Sequence, residues 1–458
     1  MSIITSNSTE EKQLLNSMKI FFADFNVTKI LRLCNCKKLK GIPVMVVFTY
    51  IFANIFKGSS LYMQLQTGSF TSKFSKNTYY RFLENARTNW LRFTTKLSAQ
   101  IINTHIRKLT SDSRADCFII DDTLYNRAGC KKTELASRVF DHTSGIYKKG
   151  FRLMTLGWSD GVSFLPINSA LLASSDSKNI LGRTKSIDKR TLQGKRRIMA
   201  RQKGTDVCIK LLKYALKAGH KAKYVLFDTW FSSPCQLERI KDMGLDVIAM
   251  LKKNSRTGYI FDGKLQDLKE IYASRKKRRG PSRYKLSVTV NMNTESSFPA
   301  RVVFLANRNN RKDWIAIICT DMSLDEDEIV RIYGKRWEIE VFFKTCKSFL
   351  GLCREYHGLS YDALTAHVAI VFARYMLLAT EKRNSEDERT LGELFFLMCE
   401  EVEDISLAEA MRIIAEAMFC SLKEVIAASD EQLLILIDKF IGKLPKFYSS
   451  RLLDTTVG

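Results

Sequence analysis

Two short apolar runs that end in aspartate constrain this chain most. "CFIID" (Cys117 to Asp121) and "YVLFD" (Tyr224 to Asp228) have the length and make-up of buried strands. "TDVCIKLLKYALKAGH", just ahead of the second run, has helical periodicity. A helix near 234–243 and a further apolar strand, "LDVIAMLK", come after it. Strands alternating with helices predict an α/β fold. In such sheets sites form at the C-terminal ends of the strands. If the two runs lie side by side, their carboxylates converge there. Asp121 is followed by Asp122, and neighbours on a strand face opposite ways. Only one of them can join Asp228; Asp121 is the choice, with Asp122 as the alternative.

A third carboxylate lies far along the chain, in "YGKRWEIEVFFKTCK" (Tyr333 to Lys347). Read as one helix starting near Asp325, the offsets of three, four and seven place Tyr333, Arg336, Glu340 and Lys347 on a stripe roughly 60° wide. Phe342, Phe343, Cys346, Phe349 and Leu350 turn to the flank and back, where a core would be. The ordinary reading of such a stripe is a solvated face with an Arg336–Glu340 pair, worth a few tenths of a kcal/mol. Paired with the two strand-end aspartates, Glu340 instead completes a trio of hard oxygen ligands. That set suits Mg²⁺, which binds to a few carboxylates together with substrate phosphate.

Charge points the same way. The chain has 458 residues and a formal net charge of +25, which favours a polyanionic partner, nucleic acid first. Its hydrophobic content of 45% and charged content of 26% are those of a globular protein. Eleven cysteines without a CxxC pair, and five scattered histidines, exclude a zinc-type motif. The first residues are polar, without a cleavable signal, so reduced thiols and a cytoplasmic location are expected. The apolar stretch "IPVMVVFTYIFANIF" is too short to span a bilayer and reads as a buried helix; no membrane partner is expected.

Texture divides the chain. Residues 1–112 read as a helical DNA-binding region; within it a helix after Ser75 bears Lys76, Tyr79, Tyr80 and Arg81, with Arg81 the candidate DNA contact. Residues 113–251 hold the two aspartate runs and a hairpin around Asp160-Gly161. Between them, the basic stretch from Ser174 to Gly204 reads as a mobile or DNA-tracking loop. Residues 252–321 are a β-rich insertion, with "KLSVTVNM", "ARVVFLAN" and "DWIAIICTD" as strands. Residues 322–382 return to the core with the Glu340 helix, and 383–458 form an acidic helical region suited to dimerisation.

The spacing Tyr, two residues, Arg, three residues, Glu, six residues, Lys is met by Tyr333, Arg336, Glu340 and Lys347. In this the chain resembles the DDE transposases of bacterial insertion sequences, in the group named for insertion sequence four. "IIDDT" and "VLFDTWF" look like that group's first and second aspartate motifs. The resemblance implies an RNase H-like catalytic core interrupted by the β-rich insertion, flanked by helical regions. It implies Mg²⁺, with Mn²⁺ as a substitute, held by Asp121, Asp228 and Glu340. It further implies cut-and-paste transposition through a DNA hairpin at each transposon end. The DNA partners would be terminal inverted repeats and target DNA, bound by a homodimer at the bacterial nucleoid. Tyr333, Arg336 and Lys347 would grip phosphates, Lys344 would lie nearby, and Trp314 of the insertion would stack on a flipped base. Two other classes stay open: a DNA-binding regulator derived from a transposase, and a metal-dependent nuclease without strand transfer.

Overall fold

In a computed structural model of the chain, residues 16–384 are described, apart from 39, 58–60, 69, 71–73, 112–113, 131, 142–143, 279–283 and 308–312. The acidic C-terminal region expected to dimerise lies, from 385 onward, outside the described residues.

Among the described residues six helices come first: α1 (Asn16–Asp24), α2 (Val27–Leu33), α3 (Val44–Asn54), α4 (Leu61–Gln66), α5 (Lys76–Leu83) and α6 (Trp90–Thr104). The apolar stretch read as a buried helix is α3, with Phe48, Ile51 and Phe52 fully enclosed. Four strands follow: β1 (Cys117–Asn126), β2 (Ser137–Asp141), β3 (Ile146–Ser159) and β4 (Phe164–Leu172). Then come α7 (Leu192–Ala200), α8 (Gly204–Lys217), β5 (Tyr224–Phe227), α9 (Pro234–Lys241) and β6 (Asp246–Met250). The span read as an insertion carries β7 (Tyr259–Phe261), β8 (Lys264–Gln266), α10 (Leu268–Ser274), β9 (Tyr284–Met292), β10 (Pro299–Ala306) and β11 (Trp314–Cys319). Last are α11 (Glu326–Gly334), α12 (Trp337–Ser348) and α13 (Tyr361–Asn384).

Among the described residues eleven strands join one mixed sheet, in the order β2-β3-β1-β5-β6-β11-β10-β9-β7-β8, with β4 also paired to β3. β1, β5 and β6 run parallel, and β3 and β4 pair antiparallel beside them. β11 pairs with β6 on one side and β10 on the other, so the inserted strands prolong the central sheet. The β3–β4 hairpin turns at Gly161, whose φ of +90° suits glycine. A Cβ there would also meet the Lys335 side chain at 2.9 Å. That lysine crosses the turn to donate to the carbonyls of Ala115 (2.6 Å) and Asp160 (3.3 Å).

Helix α13 is the hub. It is long and apolar enough to cross a membrane, yet 94% of its apolar window is buried, against β4, α6 and the N-terminal helices. Its Arg374 is fully enclosed and donates to the carbonyls of Ile51 and Phe52 in α3 and to the carboxylate of Glu355. This ties the N-terminal helices to the sheet.

Two expectations change. The basic stretch read as a mobile loop contains α7, capped by the Thr191 hydroxyl. Its Arg196 pairs with Asp362, and Arg197 with both Asp362 and Glu134, all four buried. Those cations are structural because their acids come from 63 to 166 residues away. The Tyr333–Lys347 segment is likewise two helices. Gly334 is a poor helix former, and around Lys335 and Arg336 the backbone bonds tighten to the i to i−3 pattern. Lys335 is drawn off toward Ala115 at this break. Asp325 does cap the first helix, accepting from the Glu328 amide.

Candidate active site

Asp121 does not end its strand. β1 runs on to Asn126 as the antiparallel partner of β3. What ends is the parallel ladder with β5, whose last pair is Ile120 with Phe227. Asp121 and Asp228 are therefore the next residues on each side, where the two strands part. Asp228 leaves the sheet as the cap of a short 3₁₀ turn, Thr229–Phe231, and accepts from the Thr229 amide at 2.5 Å.

The paired aspartates of β1 face opposite ways, as strand geometry requires. Asp121 looks toward α12, where Arg336 donates to it at 3.2 Å. Asp122 turns to the other face and pairs with Arg152. The same alternation puts Thr123 on the α12 side, accepting from Lys347 Nζ at 2.5 Å. α12 thus lies over β1, fastened through Arg336 and Lys347.

Arg336 is the centre of the site. One guanidinium nitrogen meets Asp121, and the other meets Glu340 at 2.7 Å. Asp121 and Glu340 therefore share one half-buried cation, while Asp228 lies within electrostatic reach of Asp121 and of Tyr333. The other glutamate of α12, Glu338, is turned away and accepts from the Ser159 hydroxyl at 2.8 Å. Tyr333, next to last in α11, has its hydroxyl buried beside Arg336. It sits within electrostatic reach of Arg336, Asp228 and Asp121.

The charges at this edge are under stress. Burial pushes the Asp121 carboxyl up to about 7; the Asp122 amide and Arg336 oppose this, and Asp122 and Asp228 add to it. Burial likewise raises the Tyr333 hydroxyl and lowers the Lys347 ammonium. Burial works against the charge of Arg336 as well, but Tyr333, Glu340 and Asp121 outweigh it and hold that guanidinium above its usual range.

Other sequence candidates lie elsewhere. Lys344 is exposed on α12, and Arg81 is exposed on α5. Trp314 begins β11, stacked on Tyr272 at 4.9 Å and edge-on to Phe304 at 5.1 Å, with Lys253 Nζ 4.4 Å over its ring. Among the described residues none of these contacts reaches the carboxylates. Sequence reading missed Thr123, Arg152 and Trp230. Trp230, two residues past Asp228, is 53% exposed between Arg152 and Lys252, 5.6 and 5.2 Å from its ring. Its apolar neighbours in "VLFDTWF" disguise it as core. A cleft of about 490 Å³, lined by Asn126, Lys347, Arg354 and His357, continues beyond Lys347 along β1.

The donor set suits a hard divalent cation, since every ligand atom would be a carboxylate oxygen. As the side chains stand, no three His, Cys, Asp or Glu among the described residues gather closely enough to chelate one. Arg336 lies between Asp121 and Glu340 and supplies the positive charge that both require.

The sheet is mixed, and Asp121, Asp228 and Glu340 come from three segments distant in sequence. The family model for DDE superfamily endonucleases matches residues 59–297, just over half of the sequence, and the chain belongs to that family. Membership makes a nuclease or transposase the class of activity, DNA the class of substrate and divalent metal the usual cofactor. The matched span includes Asp121 and Asp228 and stops before Glu340. Comparison with curated proteins returns no match.

Proposed function

We propose that the chain is a metal-dependent DNA transposase of the insertion-sequence-four type, acting by cut-and-paste as a homodimer on paired transposon ends. The observation that carries this is the Arg336 bridge between Asp121 and Glu340, beside the point where the Asp121 and Asp228 strands part. The strand pattern, antiparallel β4-β3-β1 followed by parallel β1-β5-β6, supports an RNase H-like core.

Asp121, Asp228 and Glu340 would hold the divalent ion, Mg²⁺ or in its place Mn²⁺. The chemistry it supplies when bound is activation of the attacking oxygen and neutralisation of the leaving one. The chain's own groups position the DNA. Arg336 carries a planar fork that fits a phosphate as well as it fits its present carboxylates. Lys347 offers a point charge, and the Tyr333 hydroxyl beside Arg336 would donate to a phosphate oxygen. Lys344 and Arg81 add exposed cations along the duplex, and Trp314 stacks on a base displaced from it. Water first nicks one strand, releasing a 3′-hydroxyl. That hydroxyl attacks the opposite strand to close a hairpin, and after hairpin opening the 3′ ends join target DNA.

The test uses purified full-length protein, Mg²⁺ and a labelled duplex carrying the element's terminal repeat, resolved on denaturing gels. Asp228→Asn and Glu340→Gln should each lose cleavage while keeping DNA binding, because affinity comes mainly from cation–phosphate contacts. Near-normal cleavage by Glu340→Gln would remove it from the trio. The family's description, an endonuclease, is met equally by a nuclease that stops after hydrolysis. Nicked product with no hairpin at any time would select that second reading.

A further inference from the structure

Cations that the site does not use collect on another part of the molecule. A cleft of about 530 Å³ opens between α6, α7 and α8, lined by Arg92, Lys96, Lys195, Lys217 and the exposed Tyr214. No aspartate or glutamate lines it. Among the described residues none of these four cations makes an ion pair, in contrast to Arg196 on the same wall, which is held by Asp362. Four unneutralised charges around one concavity repel each other, and a polyanion relieves that repulsion.

The walls are rigid. Arg196 and Arg197 fix α7 through their buried acids, and Lys195, the residue before them, is exposed. Helix α8 links this cleft to the carboxylate edge. Its first residue, Gly204, lies against the Phe231 ring of the turn that begins at Asp228. Lys217 is thirteen residues further on, about 20 Å along the axis at 1.5 Å per residue. Lys203, Lys210, Tyr214 and Lys217, at offsets of seven, eleven and fourteen, fall within roughly 60° of one another on its surface. Twenty ångströms is about six base pairs at 3.4 Å each.

We propose that the cleft between α6, α7 and α8 is a second binding surface for the phosphodiester backbone of duplex DNA. Duplex leaving the carboxylate edge follows the α8 stripe and lays its phosphates against Arg92, Lys96, Lys195 and Lys217. This rests on the reading of the chain as an enzyme acting on DNA, and the experiment separates the two.

Binding of a 30-base-pair duplex, chosen as a probe of about 100 Å, is measured by fluorescence anisotropy across a salt series. The variant is Arg92→Gln/Lys96→Gln/Lys195→Gln/Lys217→Gln. A control of equal charge replaces the exposed Lys29, Arg32, Lys264 and Lys269. Each lost phosphate contact lowers the logarithmic salt slope by about 0.9. The cleft variant should therefore flatten the slope by about 3 to 4, and the control by less than 1. Thermal melting checks that both variants fold. An unchanged slope in the cleft variant, or equal flattening in both, overturns the proposal. So does loss of binding to a poly-glutamate peptide with none to DNA, which would make the occupant an acidic protein. If wild-type protein binds the duplex with these slopes but never cuts end DNA in Mg²⁺, the cleft stands and the catalytic reading falls.

Discussion

Replacing Asp121 by asparagine should stabilise the metal-free protein above neutral pH while abolishing cleavage. Only 22% of the Asp121 side chain is exposed, and burial pushes its carboxyl from 3.8 up to about 7. Between those two values the folded chain keeps a proton that the unfolded chain has lost. Raising the pH through this window therefore costs the wild type about 1.4 kcal/mol per unit. The cost saturates above pH 7 at about 4 kcal/mol, an upper limit because solvent still reaches the group. Asparagine keeps the acceptor for the Asp122 amide (2.8 Å), and the raised value of the carboxyl already includes the attraction of Arg336. The net gain should therefore reach at most about 4 kcal/mol at pH 8 and be close to nothing at pH 4. Glu338, raised by burial to about 7, titrates alike in both proteins and cancels. Urea unfolding with a chelator, from pH 4.5 to 8.5, measures the gap between the two. A gap that stays flat, or a variant less stable at pH 8, refutes the burial argument. Mg²⁺ at pH 8 should then stabilise the wild type by mass action and leave the variant unmoved; an equal response in both would locate the ion elsewhere.

Two further outcomes follow from packing. Arg374→Met strands the Glu355 carboxylate, which keeps 3% exposure beside His367, and should cost about 3–5 kcal/mol in urea unfolding; a loss under 1 kcal/mol would show that the N-terminal helices are held by apolar contact alone. Burial works against the charged form of Glu355, yet Arg374 and His367 hold it down to about 2, so this contribution should be present above pH 4.5 and fade as the pH falls toward 2. Trp314→Ala should nick end DNA at near the normal rate and accumulate nicks in place of hairpins, with Trp314→Phe intermediate; equal loss of both steps together with a lower melting temperature would make the ring a packing element for Tyr272 and Phe304.

Local pattern sufficed where the physics is local. The runs around 117–121, 224–228 and 246–250 are strands because they are apolar and short, and the Asp160-Gly161 turn is a hairpin because it needs a positive φ. Asp121, Asp228 and Glu340 are proposed together because each sits beside a legible element. What escaped depended on partners remote in sequence. The basic stretch holding α7 looks solvated until Glu134 and Asp362 are brought to Arg196 and Arg197. The break at Lys335 needs the Ala115 carbonyl, 220 residues away. Asp121 lies in mid-strand because β3 pairs further along β1 than β5 does, and nothing in the run itself records that.

The bridge from Arg336 to Asp121 spans 215 residues, and that from Lys347 to Thr123 spans 224. Synthesis therefore delivers the acids in a fixed order, with the glutamate last and the whole prolonged sheet in between. A ribosome that stalls in β9 or β10, or a protease that cuts there, leaves a polypeptide with both aspartates, the α6–α8 cations and no glutamate. Such a fragment would retain the cations proposed to contact the DNA backbone but lack Glu340, the proposed third metal ligand.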